Sequence, residues 1–362
     1  MIYYDLLSLE VNMKFYDELQ LNQAGSKELI RNSKSKKEKI YHILVYLFKI
    51  ALTVSFCFIF VSGFSMIFGA DNSIVGVVVL LYLLVFRNSH FTIQTNQSIC
   101  LIWLFFLIMA FMPKLANMSH PLVGWVINFV SIGILVILGC TDPRLSNQST
   151  LVLSYLLIYG YDVSGMVYQK RLWALLVGAV LISVVFYFKH YIKDYQATIK
   201  SVIQSFDLHS KTTHWQLCQI ICVSSVICIV EMLGFDRSMW AGIAAMSVIL
   251  PFMGDTRERV RGRIVGNVLG VIFFVILYFA LPSSIYAFIG VIGGIGVGLS
   301  ANYHFQAIFN TFGALAIACE LYGFKEALVL RIGTNIFGVI FALLFCFIVY
   351  ELLFSKSNEM VE

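Results

Sequence analysis

Long apolar runs separated by short polar or Pro/Gly breaks recur from residue 42 to residue 354, and this alternation is the dominant pattern in the chain. Runs of this length predict membrane-spanning helices near 42–67, 73–86, 97–112, 120–139, 149–161, 170–189, 214–233, 238–253, 262–281, 284–300, 305–323 and 331–354. The pattern predicts an all-α polytopic membrane protein of about 12 transmembrane helices in two halves of six. The second, fifth and eighth runs are short for a full crossing, so broken, tilted or re-entrant helices are expected there.

Composition agrees with the pattern. Of 362 residues 59% are apolar and only 12% charged, with a mean hydropathy of +0.85, whereas a soluble domain carries roughly 25% charged residues. Little chain remains outside the bilayer for a nucleotide-binding domain, and no G-x-x-x-x-G-K-[ST] run occurs. The eight cysteines contain no C-x-x-C and the seven histidines no H-E-x-x-H, so neither a disulfide framework nor a metal is implied, and no cofactor is expected. The polar start of the chain argues against a cleavable signal peptide.

Charge then orients the chain. Eighteen of the 25 Lys and Arg fall on breaks that share a side with the N-terminus, which predicts both termini in the cytoplasm. The net charge of +5 needs no nucleic-acid partner on this reading. The expected segments are a cytoplasmic stretch over 1–41, partly disordered and anchored by Lys34, Lys36, Lys37 and Lys39; a first transmembrane half over 42–189; a linker over 190–213; a second half over 214–354; and a cytoplasmic tail over 355–362. In the linker, Ile192, Tyr195, Ile199, Val202, Ile203 and Phe206 share a helical spacing, which predicts an amphipathic helix on the cytoplasmic face. Lys49, inside the first run, is expected to snorkel to the interface.

Two internal repeats point to chemistry. Phe68-Gly-Ala-Asp-Asn-Ser-Ile-Val-Gly76 resembles Leu233-Gly-Phe-Asp-Arg-Ser-Met-Trp-Ala241, six helices later, as two halves of one orientation would. Arg263-Ile-Val-Gly-Asn-Val-Leu-Gly-Val-Ile-Phe273 matches Arg331-Ile-Gly-Thr-Asn-Ile-Phe-Gly-Val-Ile-Phe341, and these copies lie three helices apart, the spacing of inverted three-helix sub-repeats. Arg171 and Gly178 keep the same Arg-x6-Gly skeleton, with Leu175 in place of the asparagine.

At 100° per residue the Arg, the Asn at i+4 and the Gly at i+7 lie within about 60° on one helix face. A guanidinium keeps its charge and offers forked donors to a carboxylate, so the arrangement suits an organic anion. Arg263, Arg331, Arg171, Asn267, Asn335 and Trp240 are the candidate substrate-binding residues, with Arg263 and Arg331 expected near opposite mouths of the path. Headgroup anchoring is an equally good account of Arg263, and bonding across helices of the two asparagines. Gly266, Gly270 and Gly338 are expected to pack helices. Glu231 and Glu320, as intramembrane acids, are the candidates for proton coupling.

The stretch Ser238-Met-Trp-Ala-Gly-Ile-Ala-Ala-Met-Ser-Val-Ile-Leu-Pro251, a charged loop, and then Arg263-x-x-Gly266-x-x-x-Gly270 resemble, over 238–270, the core motif of the fusaric acid resistance, or aromatic acid exporter, family. The resemblance implies a bacterial inner-membrane exporter of aromatic carboxylic acids or related amphipathic compounds, driven by the proton gradient; plant malate channels belong to the same broader group. The chain departs from larger members in having no sizeable soluble domain between its halves. It also lacks an Arg-x-x-Gly copy in the third helix, where Gln97 and Cys100 stand.

The expected function is secondary export of organic anions, with the lipid bilayer and a small organic anion as partners and a homo-oligomer compatible with the sequence. A passive organic-anion channel is the alternative within transport. A membrane-embedded polysaccharide or acyl-transfer enzyme is the alternative outside it, disfavoured because no long outer loop or paired His and carboxylate constellation is present.

Overall fold

The computed structural model describes residues 15–358 except 22, 209, 252, 283, 284 and 301, with backbone alone at 253–256, 287, 320 and 349–358. Among the described residues the chain is helical, and the only extended pairing is an isolated parallel bridge between Ile93 and Ala197. A small N-terminal pair, α1 (Phe15–Gln20) and α2 (Gln23–Asn32), precedes α3 (Lys36–Phe68), α4 (Ser73–Phe86), α5 (Thr95–Asn117), α6 (Pro121–Gly139), α7 (Gln148–Gly160) and α8 (Gly165–His190). After α9 (Ile199–Gln204) come α10 (Lys211–Met232), α11 (Ser238–Val248), α12 (Met253–Ala280), α13 (Ala287–Leu299), α14 (Tyr303–Tyr322) and α15 (Phe324–Asn358).

Seven of these helices, α3, α5, α6, α8, α10, α12 and α15, are long and apolar enough to cross a membrane, so the chain is a multi-pass membrane protein. That is fewer full crossings than the twelve expected. Apolar α4, α11 and α13 are shorter than a bilayer requires.

Two of the short helices, α4 and α11, sit innermost. Val75, Val78, Val79 and Tyr82 on α4, and Ala241, Ala244 and Ala245 on α11, have no exposed surface. A helix that is apolar all round belongs in a core, and once buried it has no need to reach both surfaces. The long α3 does the opposite, exposing Phe56, Phe58 and Ile59 as an acyl-chain surface would require.

Ending a helix inside the protein leaves carbonyls that water cannot reach. For α11 they are met by α10: Gln219 donates from Nε2 to the Ile249 carbonyl at 2.6 Å and to that of Met246 at 3.2 Å, and Trp215 donates its indole N–H to Ile249 at 3.2 Å. The stop falls at Val248, five residues short of the expected 253, because Pro251 disfavours helical backbone before it and these side chains replace the missing turn.

Helix partners recur in the same order in the two halves. In the first, α4 packs on α3 and α8, and α7 on α5 and α6; in the second, α11 packs on α10 and α15, and α14 on α12 and α13. Contacts of α6 with α10 and of α7 with α11 join the halves.

Two expectations outside the core fail. The amphipathic helix foreseen over 190–213 shrinks to α9, because tertiary bonds hold the rest in other conformations: Gln94 N–H donates to the Ala197 carbonyl at 2.9 Å, Ile199 N–H to Gln97 Oε1 at 2.7 Å, and Tyr195 pairs with His190 at 3.0 Å. Of the N-terminal stretch foreseen as partly disordered, Phe15–Gln20 and Gln23–Asn32 are helical, and residues 1–14 lie outside the described residues. Lys49 does not snorkel; its ammonium donates to the Leu21 carbonyl at 3.1 Å and to the Ser26 hydroxyl. Buried Glu18 meets His42 at 2.8 Å, and Gln23 donates to the Val297 carbonyl at 3.3 Å, so α1 and α2 dock on α3 and on the end of α13.

Candidate functional site

The two copies of the Arg-Asn-Gly motif lie on α12 and α15, and the helices cross so that the copies meet in the interior. Arg263 is 7% exposed and Arg331 5%, so neither is a headgroup anchor. Arg263 donates from Nη2 to Asn335 Oδ1 at 3.1 Å and from Nη1 to the Tyr303 hydroxyl at 3.5 Å. One arginine thus engages the asparagine of the other copy. The expectation that Arg263 and Arg331 stand near opposite mouths is corrected: their motifs share one centre.

The asparagines repeat one device. Asn267 donates from Nδ2 to the Arg263 carbonyl and Asn335 to that of Arg331, each at 2.8 Å and one turn back. Each amide oxygen is then aimed at another element, and Asn267 Oδ1 accepts from Thr311 on α14 at 3.1 Å. The bonding across helices foreseen as the bland alternative is therefore real for both, and for Asn335 it serves a guanidinium.

Aromatic rings complete the centre. Trp240 of α11, 2% exposed, lies under the Arg331 guanidinium at 5.1 Å. Arg237, just ahead of α11, reaches the same ring at 6.0 Å and also the rings of Tyr161 at 4.5 Å and Tyr322 at 5.0 Å. It donates from Nη1 to the Gly160 carbonyl at 3.0 Å. Cation–π contact favours a desolvated cation by about 2 kcal/mol or more, but it supplies no negative charge.

The charge balance is the unusual feature. Among the described residues no carboxylate lies within ion-pair distance of Arg237, Arg263 or Arg331. The Nε of each is buried without a hydrogen-bond partner. An uncompensated buried charge costs several kcal/mol, and among the described residues it is met here by neutral acceptors and ring faces alone. A cavity of about 340 Å³ lined by Asp236, Tyr322, Lys325, Glu326 and Leu330 adjoins this centre through Tyr322, which also touches Arg237. A larger groove of about 400 Å³ between α5 and α8, lined by Trp103, Phe106, Leu172 and Trp173, lies away from the arginines and is almost wholly apolar.

Arg171 differs from the other three. It is 2% exposed and bonded on every arm: Nε to Asn72 Oδ1 at 3.0 Å, Nη2 to the Asp71 carbonyl at 3.0 Å, and Nη1 to the Tyr161 carbonyl. It is not part of the arginine cluster on α12 and α15.

The glycines sit at tight helix contacts. A Cβ on Gly266 would stand 2.5 Å from Ala307 Cβ, one on Gly270 2.7 Å from the Ile308 carbonyl, and one on Gly338 2.3 Å from the Ala241 carbonyl. Glu231, at the end of α10, accepts from the hydroxyls of Tyr159 and, at 2.8 Å, Ser238. The side chain of Glu320 lies outside the described residues.

Sequence reasoning passed over Arg237, Tyr161, Tyr303 and Tyr322. Arg237 had a signal: in the repeat of the two halves it stands where the first half has Asn72, an exchange of acceptor for cation at the head of a short helix. Hydropathy marks a break in the apolar run at Arg237 and does not report the depth of that break.

Residues 223–345, from within α10 to within α15, match the family described as fusaric acid resistance protein-like, which shows the resemblance drawn from 238–270 and extends it. No curated protein and no solved structure matches the chain.

Proposed function

From a second half that is fusaric acid resistance protein-like, and a family that points to membrane transport, we propose that the protein is a secondary exporter of organic anions, with aromatic carboxylic acids as the substrate class and the proton gradient as the driving force. The observation that carries this reading is the group of buried guanidiniums of Arg237, Arg263 and Arg331, each with an unpartnered Nε and no carboxylate within reach among the described residues. A carboxylate entering the centre takes the forked donors, and an attached ring stacks beside Trp240 and the tyrosines.

Alternating access comes from inverted three-helix sub-repeats. The packing of α11 on α15 and of α14 on α12 supports this, because the two contacts exchange under a two-fold that swaps α12 with α15. Gly338 serves the first contact, and Gly266 and Gly270 the second. Glu231 is the coupling group: it neighbours Ser238, the residue after Arg237, so its protonation is felt at the head of α11. The lysine and arginine asymmetry supports both termini in the cytoplasm, and the family resemblance supports a bacterial cell membrane.

The test is benzoate efflux from proteoliposomes containing the full chain, with Arg331→Ala and Arg263→Ala beside it. Export should collapse with an uncoupler and fall at least tenfold in each variant. Unchanged export in both variants overturns the site, and efflux that ignores the uncoupler makes the path passive.

A further inference from the structure

The two halves build related arginine sockets that differ at Asn72 and Arg237, at Val75 and Trp240, and at Leu175 and Asn335. Asp71-Asn72-Ser73 at the head of α4 corresponds to Asp236-Arg237-Ser238 at the head of α11. Arg171 and Gly178 on α8 correspond to Arg331 and Gly338 on α15, and each glycine lies against its own short helix, at Val79 of α4 and Ala241 of α11.

In the first half Asn72 seals the socket. Its Oδ1 accepts from Arg171 Nε at 3.0 Å, and its Nδ2 donates to the Phe68 and Val167 carbonyls at 3.0 and 3.1 Å. Each of the three nitrogens of Arg171 is thereby bonded, to Asn72 and to the Asp71 and Tyr161 carbonyls.

In the second half the same position carries a side chain with no acceptor atom. Arg237 turns to the Gly160 carbonyl and to the Tyr161 and Tyr322 rings. Among the described residues Arg331 keeps only the face of Trp240, and its Nε is buried without a partner there.

We propose that Arg237 is the residue that keeps the second socket open: a donor in place of an amide acceptor leaves Arg331 as a receptor for the carboxylate of an organic anion, while the first half is the sealed counterpart. The chain has one anion site, in its second half, and Arg237 acts on it as a positioning residue through Arg331. This rests on the anion-binding reading of the cluster.

Arg237→Asn should install in the second half the seal that Asn72 provides in the first. The full-length chain is compared with Arg237→Asn and Arg237→Ala in lipid nanodiscs, reading thermal midpoint and the affinity for sodium benzoate. Arg237→Asn should melt higher than Arg237→Ala and bind benzoate at least tenfold more weakly than Arg237→Ala, because alanine removes the cation without supplying an acceptor.

The backbone at 237 is left-handed, with φ of 60°, which itself favours asparagine over alanine. The melting comparison is therefore repeated with Arg331→Met, where the advantage of asparagine should shrink. An advantage of the same size without Arg331, an Arg237→Asn chain that does not fold while Arg237→Ala does, or benzoate binding by Arg237→Asn equal to or tighter than by Arg237→Ala overturns the proposal. Absence of benzoate binding in the unaltered chain counts against the aromatic-acid reading instead, and the melting comparison still decides the role of Arg237.

Discussion

Arg263 and Asn335 belong to different copies of one motif and are bonded to each other, Nη2 to Oδ1 at 3.1 Å, across the crossing of α12 and α15. The amide is a neutral acceptor, so it orients the guanidinium without cancelling its charge. Hydrogen bonds to charged groups contribute roughly 1.5–3 kcal/mol. The pair therefore holds a cation in place and leaves it available.

Asn335→Asp tests that distinction. The substitution is nearly isosteric and puts a carboxylate where Arg263 already donates; the ion pair offsets the lost amide bond to the Arg331 carbonyl, so the fold should melt near the temperature of the unaltered chain. Benzoate affinity should fall at least tenfold, because the cluster would now carry its own anion. A variant that melts normally and binds normally would show that Arg263 takes no part in recognition.

Gly338→Ala addresses the packing beneath the site. Its Cβ would lie 2.3 Å from the Ala241 carbonyl oxygen and 2.9 Å from the Ala241 Cα, and backbone atoms cannot rotate aside. Overpacking of this kind costs about 1–3 kcal/mol. Gly333, on the same helix, has open space around the position of a Cβ, and alanine there should gain up to about 1 kcal/mol of helix propensity. Thermal melting of the two variants in one detergent should place them on opposite sides of the unaltered chain.

Much of the architecture was legible because apolar runs and buried helices coincide. α4 occupies the expected 73–86, and α6 begins one residue from its expected start, at Pro121. Misjudged boundaries have a common cause, since hydropathy reports where a helix enters lipid and not where it starts. α12 begins at Met253, nine residues ahead of the expected 262, because the Arg and Glu residues of 257–261 are good helix formers outside the bilayer. The residues of the site were partly legible, through repeats that single out Arg263, Arg331 and their asparagines. Their convergence was not, because direction along the chain is readable from charge while the crossing of two long helices depends on the glycines between them and their neighbours. Arg237 shows the same limit, as a cation at a break in the sequence that the fold carries inside.

Lys49→Met probes the docking of the N-terminal helices. Lys49 is the one α3 side chain that reaches both the Leu21 carbonyl and the Ser26 hydroxyl, among the described residues. Methionine fills similar space and donates nothing, so α1 and α2 should loosen while the membrane helices keep their packing. Trypsin should cut faster at Lys27 and Arg31, by about tenfold, with the thermal midpoint of the remainder unchanged. Cleavage at the original rate would assign the docking to Gln23 and to the Glu18–His42 pair.

Glu231 offers the sharpest separation of binding from coupling. Its carboxylate accepts from the hydroxyls of Tyr159 and Ser238, and both donors can rotate to suit a neutral partner. Glu231→Gln should therefore leave the local packing and the affinity for benzoate within about twofold of the unaltered chain. What the amide lacks is a proton to exchange, and exporters of the kind proposed here move substrate faster when the side receiving the anion is acidic. Efflux from vesicles should lose that acceleration in Glu231→Gln, giving the same rate with and without an imposed pH gradient. Full retention of the acceleration would remove Glu231 from the coupling path and leave Glu320, the other intramembrane acid of the second half, to be tested by the same substitution.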